Sequence, residues 1–158
     1  MIKITVIAVG KIKENSFAEA IKEYEKRLGA FCELSVSEIK PHPLPDDPSD
    51  AQISSALKAE EKSILAKIPK DADVFPLCIE GRSMSSGEFA GEIKRRKDAG
   101  RNICFIIGGS YGLGDGVKRS GAGISFSEMT FPHRLFRLML LEQIYRAFTI
   151  ISNKKYHK

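Results

Sequence analysis

The stretch RNICFIIGGSYGLGDG, residues 101–116, runs an unbroken apolar segment from Ile103 to Ile107 directly into Gly108, Gly109, Gly112, Gly114 and Gly116. An apolar run without alternation, rich in β-branched residues, reads as a strand buried on both faces, as in the middle of a parallel sheet. Glycine at the end of such a strand permits unusual dihedrals and lets a ligand touch the main chain. Gly109, Gly112 and Gly114 fall in the order GxxGxG, which is not the dinucleotide fingerprint, and no Lys-Ser or Lys-Thr follows to make a P-loop. Two readings of the loop stand side by side: plain turn glycines, and a cofactor pocket lined by main chain.

Outward from this strand, the chain alternates strand and helix. Residues 1–9 form a strand closed by Gly10, and KENSFAEAIKEYEKRLG (13–29) places Phe17, Ala20, Ile21, Tyr24 and Leu28 at helical spacing, with Gly29 as the stop. FCELSVSEI (31–39) is a second strand, so the first unit calls for a parallel pair and a right-handed crossover. The proline- and aspartate-rich residues 40–52 read as a surface excursion, followed by a helix over 50–68. Residues 71–81 read as a third strand, in which Pro76 must sit at a bulge or where no ladder donor is required. A serine-capped helix over 85–100 turns Phe89 and Ile93 inward and the basic run from Lys94 to Lys97 largely outward. A short strand and loop over 122–131 precede a long helix starting near Pro132. The pattern predicts an α/β fold, a mostly parallel sheet flanked by helices in a single domain spanning 1–158, with ligands outside the carboxyl ends of the strands.

Lysine and arginine number 25 against 20 acidic residues, a formal net charge of +5, which favours association with a polyanion. The apolar run at the N-terminus is too short for a signal peptide and no stretch is long enough to span a bilayer, so no membrane partner and a cytoplasmic location are expected. Cys32, Cys78 and Cys104 lie in apolar contexts without a CxxC spacing and read as reduced, buried small hydrophobes; no metal is expected. No Ser-His-Asp order or carboxylate pair stands out, and the histidines are His42, His133 and His157. An enzyme built from this set relies on an already activated cofactor and on positioning.

Three segments follow apolar strands: residues 76–86, the glycine loop, and SFSEMTFPH (125–133). Their convergence at one sheet edge would enclose a flat aromatic ligand such as adenine, with Leu77, Met129 and Phe131 on its faces; ordinary packing is the alternative for each. On the last helix Leu135, Leu138, Met139, Leu141, Ile144, Tyr145, Phe148 and Ile151 cover more than a narrow stripe, enough for the sheet on one side and a second subunit on another. Arg134, Arg137 and Arg146 are either RNA contacts or a solvated face with Glu142 as partner. The tail NKKYHK (153–158) combines lysines with Tyr156 and His157, which suit phosphates and a stacked or hydrogen-bonded base.

ITVIAVGKIKE (4–14), EYEKRL (23–28), IEGRSMSS (79–86), FIIGGSYGL (105–113), SFSEMTFPH, EQIYRAFTI (142–150) and the final YHK, in this order, closely resemble the bacterial ribosomal RNA large subunit methyltransferase H family, a member of the SPOUT class. The resemblance spans the chain. It implies a SPOUT-type knotted fold with a C-terminal trefoil knot, a homodimer, and S-adenosylmethionine as cofactor. It also implies methylation at N3 of pseudouridine 1915 of 23S ribosomal RNA in the assembled ribosome. The cofactor positions carried over are Leu77, Gly108, Ser127, Glu128, Met129, Thr130, Phe131 and Pro132. The tail positions are Tyr156 and His157, supplied to each active site by the other subunit; relatives tend to have glycine or proline before them, where this chain has Asn153, Lys154 and Lys155. For catalysis, Tyr156 and His157 are expected to place the base, with His157 the better proton acceptor than His133. Arg137, with Lys155 or Lys158 of a second copy, is expected near the RNA. The rival readings are a non-catalytic ribosome-associated factor and a nucleotide-using α/β enzyme acting on a small molecule.

Overall fold

The apolar run that opens the sequence reading is buried on both sides because its alternate residues serve two cores. Ile103, Phe105 and Ile107 join one cluster, while Cys104 and Ile106 join the other. In the computed structural model, which describes residues 1–156, this segment is β4 (Asn102–Ile107). The elements before it are β1 (Lys3–Val9), α1 (Asn15–Leu28), β2 (Glu33–Ile39), α2 (Asp50–Leu65), β3 (Ala72–Ser83) and α3 (Ser86–Asp98). After it come α4 (Asp115–Lys118), β5 (Ile124–Ser125) and α5 (His133–Ile151). The sheet order is β2-β1-β4-β3-β5, every pair parallel, with β4 held between β1 and β3.

The larger core packs Ile4, Val6 and Ala8 of β1 with Phe75 and Phe105 against α1, α3 and α5. Phe105 is fully buried, with ring centroids 5.7 Å from both Phe75 and Phe89. On the opposite face Ile7, Val9, Ile106 and Val117 pack with Ile64 of α2. Short α4 is tied to α2 by Glu61, whose Oε1 accepts from the Val117 amide at 3.0 Å. Both α2 and α3 open on a serine capping box, Ser49 with Gln52 and Ser85 with Glu88, each satisfying two backbone donors that the first turn leaves over.

β3 runs two residues further than the sequence suggests, because Arg82 and Ser83 pair with β5 after a register shift from Leu77. The segment from Cys78 to Gly81 is therefore a bulge within a strand rather than a loop beyond it. Pro76 is tolerated for a readable reason. Val74 offers its carbonyl to the Ala122 amide at 3.1 Å, so Pro76, two residues on, directs its main chain to the same side, away from the ladder with β4. Gly121 lies so close to Val74 that an added Cβ would overlap the Val74 carbonyl, which fixes glycine at this crossing.

The basic run on α3 is largely outward, as expected, with Lys94, Arg95 and Lys97 exposed and Arg96 the exception. Arg96 is mostly buried, bonded through Nε to Asp73 at 3.1 Å and over the Phe75 ring at 4.8 Å. Arg95 and Arg96 both bond to Glu92; burial opposes the charged carboxylate, but the two guanidiniums hold it below the usual carboxylate range. The sequence pattern shows the charge run but not that Glu92, on the same helix, and Asp73 draw Arg96 out of it. Cys32 and Cys104 are buried and their thiols are pushed up to about 12 by that burial, while Cys78 is only half-buried. Among the described residues no helix is long and apolar enough to cross a membrane.

Truncating Phe105 to alanine removes the ring shared by β3, β4 and α3. The expected loss is about 3–5 kcal/mol of unfolding free energy in urea titration, against about 0.5 kcal/mol or less for Leu65→Ala on the surface of α2. Similar losses for the two variants would contradict this assignment of the core.

Candidate functional site

The carboxyl ends of β1, β2 and β4 are tied to the first turns of α5 by one buried cation. Arg137 is 4% exposed. Its Nη1 donates to Glu38 of β2 at 3.0 Å, and its Nη2 donates to the Gly10 carbonyl at the end of β1 at 2.9 Å. The same Nη2 reaches His133 Nε2 at 2.9 Å, and His133 Nδ1 lies 3.4 Å from the Gly108 carbonyl just past β4. A guanidinium only donates, so Nε2 must accept and the ring proton sits on Nδ1, facing that carbonyl. His133 is thus neutral: burial first, and then the Arg137 charge, push its pKa below the ordinary 6.5. Both ring nitrogens are committed, which leaves His133 no free lone pair for proton abstraction.

Beside this clamp lies a cavity of about 760 Å³ over the ends of β3, β4 and β5. The three segments singled out in the sequence do converge here. Leu77 and Cys78 come from β3, residues 108–113 from the glycine loop, and Phe126, Ser127 and residues 129–132 from the segment before α5. Of the eight expected cofactor positions, Leu77, Gly108, Ser127, Met129, Thr130, Phe131 and Pro132 line the cavity. Glu128 is exposed and is not among the lining residues.

Local chemistry explains how these residues are held. Ser125 Oγ donates to the Ser127 carbonyl at 3.1 Å, and Ser127 Oγ accepts from the Met129 amide at 3.0 Å, which folds the segment back on itself. Met129, 73% exposed, stands at the mouth of the cavity. Gly108 approaches Gly112 so closely that an added Cβ would overlap the Gly112 carbonyl, and Gly112 itself adopts φ of +76°. These two glycines shape the cavity, whereas Gly114 and Gly116 abut Glu61 and serve the packing of α4. The loop therefore has two parts, one that lines the cavity and one that packs against α2.

The lining offers apolar side chains, main-chain groups and the exposed Lys118–Glu80 pair at 2.9 Å. Such a set suits an adenosine-bearing ligand with a charged tail: flat apolar walls, backbone polar groups, and a cradle that only glycine permits. Among the described residues no group of three or more His, Cys, Asp or Glu side chains could hold a metal.

The other predicted residues are dispersed. Arg146 pairs with Glu142 at 2.6 Å, and Arg134 with Glu14 at 3.4 Å. Arg137 is neither solvated nor a partner of Glu142, but the buried clamp; the sequence carries no signal that pairs it with Glu38. Asn153 supplies the left-handed turn after α5 at φ of +54°, a conformation usually taken by glycine. Tyr156 then packs on its own chain, edge to face with Tyr145 at 4.9 Å, and its hydroxyl lies 3.3 Å from Glu142. The Tyr24 hydroxyl, burial and Glu142 push its phenol up to about 12. Tyr156 does not line the cavity, and His157 and Lys158 lie outside the described residues.

Comparison with known proteins adds independent findings. Residues 2–157 match the family described as "Predicted SPOUT methyltransferase". The chain is 46% identical over 158 residues to ribosomal RNA large subunit methyltransferase H of Exiguobacterium sibiricum, covering 99% of each chain. It is 44% identical over 157 residues to the protein of that name from Listeria monocytogenes serotype 4a, covering 98% of this chain and 99% of the relative. Among solved structures it resembles TrmJ from Z. mobilis at a TM-score of 0.54 and 11% identity, over 94% of this chain and 71% of that one. A methylase family protein from Neisseria gonorrhoeae matches at a TM-score of 0.53 and 11% identity, over 90% and 81% of the two chains. At these identities the structural likeness speaks to the fold alone.

The neutral His133 makes a signed prediction. Its folded pKa lies below 6.5, so its contribution to stability is complete above that value and is lost as pH falls through it toward the lower, folded pKa. Urea midpoints of the protein should decline as pH falls below about 6.5, and His133→Gln, which cannot titrate, should flatten that decline. Equal slopes for the two proteins would show that the clamp does not hold the ring neutral.

Proposed function

This chain belongs to the SPOUT methyltransferases and, within them, to the ribosomal RNA large subunit methyltransferase H family, and from that premise we propose that it methylates 23S ribosomal RNA. The target is N3 of pseudouridine 1915 in the assembled ribosome, and residues 1–158 act as one knotted SPOUT domain. The observation that carries this reading is the convergence of Leu77, Gly108, Ser127 and Thr130 on one cavity at the carboxyl edge of the sheet. It does so in a chain matching its relatives from end to end.

Leu77 and Phe131 are proposed to bracket the adenine of S-adenosylmethionine, with Gly108 and the main chain of residues 129–132 holding its polar groups. When bound, the sulfonium cofactor supplies a methyl group already activated for transfer to a nucleophile. The protein's part is positioning and charge. Arg137 and His133 hold the ends of β1, β2 and β4 in register, so that the glycine loop presents Gly108 in one place. Because His133 uses both ring nitrogens, the imide proton of pseudouridine goes elsewhere: to His157, or to water that it orders. Arg137 acts through the strand ends it joins rather than by touching the base, while the lysines of the tail are suited to offset charge that develops on the ring.

A homodimer completes the proposed site. The tail of one copy, Tyr156 and His157 with Lys155 and Lys158, closes over the nucleotide bound to the other. In support, Tyr156 is absent from the cavity of its own chain, and Leu135, Leu138 and Met139 of α5 line an apolar groove with Phe89 and Phe126 that suits a second copy. The cytoplasmic location follows from a ribosomal substrate.

Labelled methyl transfer to intact ribosomes lacking the modification tests the reading. Product at N3 of the pseudouridine is expected, with free ribosomal RNA a poor substrate. No transfer, together with no saturable cofactor binding in calorimetry, would favour a non-catalytic ribosome-associated factor. Gly108→Ala should abolish cofactor binding while circular dichroism stays native, because its Cβ has no room beside Gly112. His157→Ala should slow turnover by about 10²-fold or more if it moves the proton; a loss confined to ribosome affinity would reduce its role to binding.

A further inference from the structure

A second cleft of about 610 Å³ lies over the ends of β1 and β2, on the other side of the glycine loop from the cofactor cavity. The two cavities share a wall made of Gly109, Ser110, Tyr111, His133 and Arg134. One side of the cleft is apolar, built from Ile53, Ala56 and Leu57 of α2 with Leu44 and the prolines at 41, 43 and 45. At its rim stand Lys11 and Lys13, on the turn after β1.

The charges here do not cancel within the chain. Lys11, Lys13 and Arg134 line the cleft against two acids, Glu60, which accepts from the His42 amide at 2.9 Å, and Glu14, which pairs with Arg134 at 3.4 Å. Among the described residues neither Lys11 nor Lys13 has an acidic partner. Tyr111 is 45% exposed and stacks on no other ring among them. Two ammonium groups without an ion-pair partner, an unpartnered aromatic face and an apolar wall, arranged around a nucleotide-sized cleft, match a phosphate with a base attached.

We infer that this cleft holds an RNA nucleotide adjoining the one that is methylated, its phosphate against Lys11 and Lys13 and its base against Tyr111. The inference rests on the RNA-methylation reading and adds where the strand lies. The shared wall gives the arrangement a consequence: the loop that shapes the cofactor cavity also carries the ring that grips the neighbouring base. RNA bound in the second cleft thereby positions its target relative to the first.

The test uses the full-length protein and ribosomes lacking the modification. Lys11→Ala with Lys13→Ala should lower kcat/KM for ribosomes by about 10- to 100-fold near physiological salt and reduce the salt dependence of log kcat/KM by about 1–2 in slope. Cofactor affinity in calorimetry should stay within about twofold, since a phosphate-contacting lysine is paid back only when RNA binds. Tyr111→Ala should lose about 5- to 100-fold in ribosome affinity, and Tyr111→Phe should restore it by keeping the stacking face. Wild-type methylation with rate and salt slope unchanged in the lysine variant overturns this inference alone. A parallel loss of cofactor affinity in that variant overturns it too, by assigning the lysines to the cofactor cavity or to the fold. Failure of the wild-type protein itself to methylate ribosomes overturns the RNA reading and this inference together.

Discussion

A charge buried where β1, β2 and β4 end constrains the rest of the site. Arg137 is withdrawn from water and remains charged, so it has to be met by a carboxylate and by acceptors of fixed position. Glu38, the Gly10 carbonyl and His133 meet it, and each belongs to a different part of the chain. Because a buried cation tolerates little displacement of its partners, the ends of the strands cannot drift independently of α5. The glycine loop inherits that order through the contact of His133 with the Gly108 carbonyl.

The clamp also determines what the site can do chemically. A histidine at a loop-to-helix junction beside a pocket invites a role in proton transfer, yet here the guanidinium consumes its one acceptor and burial keeps it neutral. The residue is structural for a reason that electrostatics makes plain. What the pocket itself offers is alignment, by apolar walls and main-chain groups held in fixed positions. The two cavities on either side of residues 109–111 both open at the carboxyl edge of the sheet, where parallel α/β folds place their ligands.

Much of the candidate site was readable before the fold was known, and the reasons differ from residue to residue. Leu77, Gly108 and Ser127 stand beside apolar strand signals, so a parallel sheet brings them to one edge whatever the strand order. Glu128 shares that sequence context yet is exposed and does not line the cavity, sitting at the middle of the turn closed by Ser127 and the Met129 amide. The basic run on α3 was legible as largely outward, but the exception was not: Glu92 and Asp73 capture Arg96, and only one of those acids lies on the same helix. The pairing of Arg137 with Glu38 spans 99 residues, and no local pattern encodes it.

Local chemistry by itself determined the alternation of strands and helices, the serine that opens α3, the burial of Ile103 to Ile107 on both faces, and the segments able to touch a ligand. These depend on periodicity and on backbone preferences over a few neighbouring residues, which a linear reading captures. The order β2-β1-β4-β3-β5, the bulge within β3, the neutral state of His133 and the second cleft belong to the tertiary structure alone. They arise where residues far apart in the chain share a hydrogen bond, an ion pair or a wall, and the free energy of such contacts is set by three-dimensional proximity rather than by sequence spacing.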